Sequence, residues 1–237
     1  MAYLPIFVDV RGRNCVVIGG GEIAERKVRA LLVAEAAVTV VSPELTAGLA
    51  ALAADRAVSH RARPYRHGDL AGASFAFAAT GDAATAAAAS REAAAAGILI
   101  NVADAPELCS FIAPAIVRRG ALTIAISTGG ASPAAATAIR ERLEEVFGPE
   151  YGPWLELMRA ARKWLRDRAT ESAERARRLG ALARSDLRGA IARGDCARAE
   201  ALLREYLGGG FVELGLDRFA LAYQSADAPR AGAADGR

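Results

Sequence analysis

The sequence predicts an α/β fold: a parallel sheet first, then a small α+β segment, then a region of helices. Three observations predict it. Short β-branched runs alternate with helix-length segments up to about residue 113, and a triple glycine stands at the first strand-to-helix junction. Beyond residue 150 the patterns are helical alone. With 237 residues the chain is long enough for one large domain or two small ones. The expected boundaries are 1–113 for the sheet domain, 114–150 for the α+β segment and 151–223 for the helices. The tail, 224–237, is rich in Ala, Asp, Gly and Arg, a composition that predicts disorder.

Each element has its own signal. Cys15-Val16-Val17-Ile18 is an apolar run ending in Gly19-Gly20-Gly21, and a helix is expected over 22–34, with Ile23, Ala30, Leu31 and Ala34 at helical spacing. Val38-Thr39-Val40-Val41 is a second strand, closed by Ser42-Pro43. Phe75-Ala76-Phe77-Ala78-Ala79 and Ile98-Leu99-Ile100-Asn101-Val102 are two more, flanking an alanine-dense helix over 83–96. Ala121-Leu122-Thr123-Ile124-Ala125-Ile126-Ser127 is a further strand, reached through a basic turn, Arg118-Arg119-Gly120. Ser132 caps the next helix with Pro133 at its first position, and Gly148-Pro149 stops it near 147. Helices are expected over 153–178, 183–193 and 195–207.

Composition excludes several classes. No window approaches 18 strongly apolar residues, so no membrane span is expected. The opening residues lack a basic stretch followed by an apolar run, and a cytoplasmic address is the expectation. Three cysteines without CxxC spacing and two histidines argue against a disulfide framework and against a metal site. The net charge is +3, and the arginines of 159–204 alternate with glutamates and aspartates. That pattern describes solvated helix faces, with an anion-binding surface as the alternative. Neither a nucleic-acid partner nor a membrane is expected.

Gly19-Gly20-Gly21-Glu22-Ile23-Ala24 is a GxGxxA turn between a strand and a helix. Gly19 permits the tight turn, Gly21 lets backbone approach a pyrophosphate, and the small Ala24 allows close helix–strand packing. The helix start, with Glu22 and Ile23, then offers free N–H groups to phosphate oxygens. This is the fingerprint of a Rossmann-type dinucleotide-binding domain. The acidic residue that often ends the second strand is missing, so Ser42, the backbone at Pro43 and Glu44, or the Glu44 side chain is left to meet the ribose. No arginine stands there, which favours NAD over NADP. Thr80, at the carboxyl end of its strand, either contacts the cofactor or, with Asp82, caps the following helix.

Asp104 follows the next strand in Asn101-Val102-Ala103-Asp104-Ala105-Pro106. Spacing alone makes it a turn aspartate before proline; the functional alternative is a base that takes a proton while hydride leaves for the cofactor.

Together these blocks resemble the siroheme synthase dehydrogenase/ferrochelatase family, from Leu4 to about Leu207. The resemblance is carried by Leu4-Pro5-Ile6-Phe7, the Gly19–Ala24 loop with Glu25-Arg26-Lys27, Ala78-Ala79-Thr80 and Asn101–Pro106. Ser110-Phe111-Ile112 with Pro114, and Ser127-Thr128-Gly129-Gly130-Ala131-Ser132-Pro133, complete it. It implies NAD-dependent oxidation of precorrin-2 to sirohydrochlorin, in many members followed by insertion of Fe2+ to give siroheme. Asp104 would serve both steps. NAD would meet Gly19, Gly21, Glu22, Ile23, Ala24, Pro43, Glu44 and Thr80. Asn101, Ser127, Thr128, Gly129 and Gly130 would line the tetrapyrrole cleft, and a homodimer would form through 114–150. The methyltransferase domain of some siroheme synthases is lacking here, so a separate protein is expected to methylate the precursor. Two alternatives stand: a dehydrogenase without chelatase activity, and a non-enzymatic NAD-sensing module that needs the glycines but not Asp104.

Overall fold

The computed structural model describes residues 3–168 and 171–212. They divide into two compact units, one ending at Ala113 and the other starting at Pro114. The expected disorder of 224–237 lies outside the described residues.

The first unit is a five-stranded sheet, all parallel, in the order β3-β2-β1-β4-β5. Its strands are β1 (Asn14–Ile18), β2 (Ala37–Val41), β3 (Ser59–Arg61), β4 (Phe75–Ala78) and β5 (Leu99–Val102). Between them run α1 (Glu22–Val33), α2 (Ala47–Ala54) and α3 (Ala83–Ala96). Parallel strands are buried on both faces, which is why β1 reads as a continuous apolar run rather than an alternation. On one face Val17, Val40 and Phe75 pack with Ala24, Val28 and Leu31 of α1 and Leu49 of α2. On the other, Val16, Ile18, Val41, Ile100 and Val102 pack with Ala86, Ala89 and Ala93 of α3. Alanine serves α3 twice, as the best helix former and as a small side chain that brings the helix close. Asp82 caps its start by accepting from Ala84 N and Thr85 N, and Gly97, at φ +68°, closes its end in the left-handed conformation glycine favours.

The strand order reverses direction between β1 and β4, and a crevice at the carboxyl ends of those strands is where ligands bind in open sheets of this kind. α2 carried too little periodicity to be expected from sequence: it is almost uniformly apolar and alanine-rich.

No helix or strand spans 62–74 on the way into β4. Two carboxylates hold that segment. Asp69, 4% exposed, accepts from Arg61 Nη1 at 2.7 Å, from both Nη atoms of Arg63 at 2.7 Å and from Arg66 N at 2.8 Å. Glu92 reaches across from α3 to accept from Tyr65 Oη at 2.5 Å and from Gly68 N and Leu70 N at 3.0 Å. The Arg63 guanidinium, against a smaller opposing push from burial, holds the Asp69 carboxyl well below the usual carboxylate range. A carboxyl depressed in the folded state stabilises the fold above its unfolded pKa of about 3.9, and that contribution is lost as pH falls further. Asp69→Asn is therefore expected to lower the Tm by several degrees at neutral pH. It should also flatten the fall in Tm between about pH 5 and about pH 3; an unchanged acid slope by differential scanning calorimetry would remove Asp69 from that role.

The second unit opens with a hairpin, β6 (Ala115–Arg119) and β7 (Leu122–Ile126), paired antiparallel with Arg119 opposite Leu122. Here the basic-turn expectation is corrected. Arg118 and Arg119 belong to β6, and the turn is Gly120-Ala121, with Gly120 at φ +57°. The two arginines mask a strand whose inward residue is Val117, fully buried. Helix α4 (Pro133–Val146) follows, with Ser132 Oγ accepting from Ala135 N as expected of its cap. Arg119 donates from Nε to Phe147 O at 2.8 Å and from Nη2 to Glu144 O at 3.2 Å, a cation on the last carbonyls of α4.

Among the described residues five helices complete this unit: α5 (Tyr151–Asp167), α6 (Ser172–Arg184), α7 (Leu187–Ala192), α8 (Cys196–Leu207) and α9 (Gly209–Val212). Two expectations are corrected. The continuous helix over 153–178 is α5 and α6, and the span 183–193 holds the last turn of α6 and then α7. Neither break carries glycine or proline. Tertiary packing decides both, because Leu157, Leu165, Leu182, Leu187 and Leu203 converge on one core that a straight helix could not enclose. Among the described residues no helix is long and apolar enough to cross a membrane.

Candidate active site

The site is built on the carboxyl ends of β1, β4 and β5. Gly19 leaves β1 at φ +117°, and a Cβ there would lie 2.1 Å from Ala79 O. Gly20 has no left-handed φ, yet a Cβ on it would fall 1.9 Å from Glu44 O and 2.7 Å from Ser42 Oγ. The segment after β2 thus lies directly against the glycine turn. Thr46 N donates to Gly20 O at 2.9 Å, and Ser42 Oγ donates to Glu44 O at 2.7 Å. Gly21 differs from both: its φ of −84° suits any residue, and nothing lies within 4 Å of its would-be Cβ. It starts α1 with no side-chain cap, so the first N–H groups of the helix are left without a side-chain partner. That combination of open space and uncapped donors fits a pyrophosphate.

The expected cofactor residues therefore sort by position. Gly19 and Ala24, both tightly enclosed, shape the turn, while Gly21, Glu22 and Ile23 stand exposed at the helix start. Glu25, one turn on, accepts from Thr46 Oγ1 at 2.5 Å and from Arg29 Nε at 2.8 Å, tying α1 to the start of α2. The Thr46 hydroxyl and then Arg29 hold its carboxyl below its ordinary range. Pro43 and Glu44 are exposed beyond the end of β2; Ser42 is buried with its hydroxyl committed, so its side chain is the least available of the ribose candidates. His60 Nε2 lies 2.9 Å from Ser42 O and braces the same corner. Thr80 Oγ1 accepts from Asp82 N at 3.2 Å, so both residues take part in the capping turn of α3.

Asp104 lies at the same edge. Ala103 N donates to Ala78 O at 2.8 Å, and Ala79, next along β4, is the residue that abuts Gly19. The aspartate thus follows a strand two positions over from the glycine turn, about 10 Å at sheet spacing. It is exposed, its φ is +59°, and it has no hydrogen-bond partner among the described residues. Asn101, expected to meet substrate, donates from Nδ2 to Phe111 O at 3.1 Å and so holds the chain where it leaves β5. Phe111 stands edge-on to Phe75 and Phe77, and the Lys27 ammonium lies 5.7 Å from the Phe77 ring centroid. Burial, and then Arg26, push the Lys27 amine down from its ordinary value.

The remaining expected residues belong to the second unit. Gly129 and Gly130 turn the chain at φ +63° and +87°, Ser127 Oγ accepts from Gly129 N at 3.1 Å, and Thr128 Oγ1 accepts from Ser132 N at 3.2 Å. The turn before α4 is therefore self-bonded, with Ser127 exposed. Several of the arginines considered as an anion surface are paired along their own helices, as Arg159 with Glu156, Arg177 and Arg178 with Glu174, and Arg204 with Glu200. Among the described residues no cluster of His, Cys, Asp or Glu is arranged to hold a metal ion.

Two features went unseen in the sequence. Gly20, the middle of the triplet, is the most tightly enclosed of the three. Cys109 and Ser110 cover the free edge of β5 with side chains in place of a strand: Ser110 Oγ accepts from Ile100 N at 2.7 Å and Cys109 Sγ from Val102 N at 3.1 Å. A single sequence carries no sign of either pairing.

Fold and glycine turn together define a dinucleotide-binding protein of the Rossmann class. Residues 6–115 match a family model described as NAD(P)-binding, and residues 119–145 match the model described as sirohaem biosynthesis protein central. The siroheme synthase of Methylobacillus flagellatus is 49% identical over 152 residues, which is 64% of this chain and 32% of that protein. That of Chromobacterium violaceum is 36% identical over 223 residues, 94% of this chain and 47% of that protein. The solved structure of SirC, precorrin-2 dehydrogenase, aligns with TM-score 0.73 and 24% identity over 86% of this chain and 98% of that one. The chain is similar to siroheme synthases, and spans about a third to a half of the length of these curated relatives.

Proposed function

We propose that this chain oxidises precorrin-2 to sirohydrochlorin with NAD, and that Asp104 is the base. The observation that carries the reading is the row of backbone contacts from Gly19 through Ala79 and Ala78 to Ala103, which puts an exposed carboxylate on the strand edge that holds the dinucleotide turn. The cofactor, when bound, supplies a hydride acceptor. The protein's own part is to hold the pyrophosphate at Gly21, Glu22 and Ile23, set the ribose against Pro43 and Glu44, and accept at Asp104 the proton released as hydride departs. Both hydrogens lost by the substrate are then accounted for. Thr80 is a further cofactor contact in this reading. Asn101 and the 127–130 turn are substrate contacts, the first through its carbonyl oxygen, since its amide is engaged.

The siroheme synthase name of the relatives favours a second step, which in this reading is insertion of Fe2+ into sirohydrochlorin to give siroheme, with iron as substrate and the same aspartate as base. A cytoplasmic homodimer assembled through 114–150 is part of the same proposal. The purified chain, given precorrin-2 and NAD without oxygen, is expected to convert it with a change in visible spectrum matched by NADH formation. Conversion that does not depend on NAD would sink the proposal. Sirohydrochlorin with Fe2+ or Co2+, timed against the spontaneous reaction, separates a bifunctional enzyme from a dehydrogenase alone.

A further inference from the structure

Asp104 sits in a left-handed conformation that few L-residues adopt, and neighbouring contacts hold the chain in it. The contacts here converge on one side chain. Cys109 Sγ accepts from Val102 N at 3.1 Å and lies 3.6 Å from Asn101 Nδ2; it is 3.3 Å from Val102 O and 3.4 Å from Ala105 O, the two carbonyls between which its one hydrogen is placed to donate. The thiol therefore ties the residue two before Asp104 to the residue directly after it. A 3₁₀ turn, Pro106–Leu108, returns the chain to bring Cys109 there, and Ser90 Oγ fixes that turn by donating to Leu108 O at 2.9 Å. Asp104 is left at the tip of a closed loop, held at both ends while its carboxylate stays free.

We propose that Cys109 is a positioning residue for Asp104: its thiol clasps the 102–109 loop and fixes the direction in which the carboxylate is presented. This rests on the reading of Asp104 as the base. A methyl group in place of the thiol leaves Val102 N and Ala105 O without this partner and lets the loop relax, whereas a hydroxyl restores the same donor and acceptor on a shorter bond. Since the clasp touches neither the glycine turn nor the helix start, dinucleotide affinity should not depend on it.

The test is a double-mutant cycle on the full chain with Cys109→Ala, Cys109→Ser, Asp104→Ala and Cys109→Ala/Asp104→Ala. Precorrin-2 kcat and KM are measured, NADH affinity is read by fluorescence, and Tm is recorded. C109A is expected to lower kcat by about 10-fold with KM and NADH affinity within about twofold, because a small misplacement of a reacting group costs rate rather than binding. C109S recovers most of that loss. In the D104A background, removing the thiol costs nothing further. A full 10-fold loss in both backgrounds, or a loss that falls on NADH affinity, would overturn the positioning role. If C109A does not fold, Ser90→Ala, which loosens the turn that seats the thiol, with and without D104A reads the same coupling, additivity again counting against the proposal. If D104A alone retains native turnover, the assignment of the base fails instead, and the two failures are told apart.

Discussion

Asp104→Ala is expected to lower precorrin-2 turnover by about 10²–10⁴-fold, the usual contribution of a positioned general base, with NADH affinity and the Tm close to those of the unaltered chain. The carboxylate is exposed and makes no bond to the rest of the first unit, so its removal leaves no buried group unsatisfied. Its backbone, at φ +59°, is the one structural complication, since alanine tolerates that conformation less well than aspartate. Asp104→Asn removes it, because asparagine is among the residues best suited to left-handed backbone and differs from aspartate here only in losing the negative charge. Both variants should therefore bind NADH and fold alike, and both should be nearly inactive. Rates for D104N within a factor of a few of the native enzyme would exclude the carboxylate from proton transfer, while inactivity with lost NADH binding would mark a collapsed site rather than a missing base.

How far the sequence could be followed depended on whether a signal was local. β1, β2, β4 and β5 announce themselves because each is a short apolar run next to a helix with its own start or stop, such as Asp82 and Gly97 around α3. Ser132-Pro133 likewise marked α4 within one residue. What escaped was set by distance. The break between α5 and α6 has no local breaker and follows from the convergence of Leu157 and Leu182 on one core. β6 was hidden by its own arginines, one of which serves the end of α4 from 25 to 28 residues away. The site divides the same way. The GxGxxA turn was legible because its chemistry lies in consecutive residues. The closeness of Gly20 to Glu44, the hold of Cys109 on the Asp104 loop and the commitment of Asn101 to Phe111 depend on where the sheet brings separate segments. Spacing alone favoured a structural role for Asp104, and the family resemblance reversed that balance.

The triplet of glycines offers the sharpest division between folding and binding. Gly20→Ala is expected to destabilise the first unit by about 1–3 kcal/mol or more, since the new methyl would meet the backbone oxygen of Glu44 at 1.9 Å and no side-chain rotation can relieve it. The segment from Ser42 to Thr46 must then move, and with it the ribose contacts at Pro43 and Glu44, so NADH affinity falls together with a Tm drop of roughly 4–8 °C for each kcal/mol lost. Gly21→Ala should behave in the opposite way. Its φ of −84° is open to alanine and its Cβ meets no atom within 4 Å, so the fold is kept and even gains a few tenths of a kcal/mol from a less flexible unfolded chain. The methyl, however, enters the space from which a pyrophosphate would reach the uncapped N–H groups of Glu22 and Ile23, and NADH affinity is expected to fall by at least about 10-fold, the effect of losing one or two charge-assisted hydrogen bonds. Titration of NADH fluorescence alongside thermal unfolding measures both variants in one series. Native NADH affinity in G21A would move the pyrophosphate away from the start of α1, and with it the premise that the dinucleotide lies along the edge that carries Asp104.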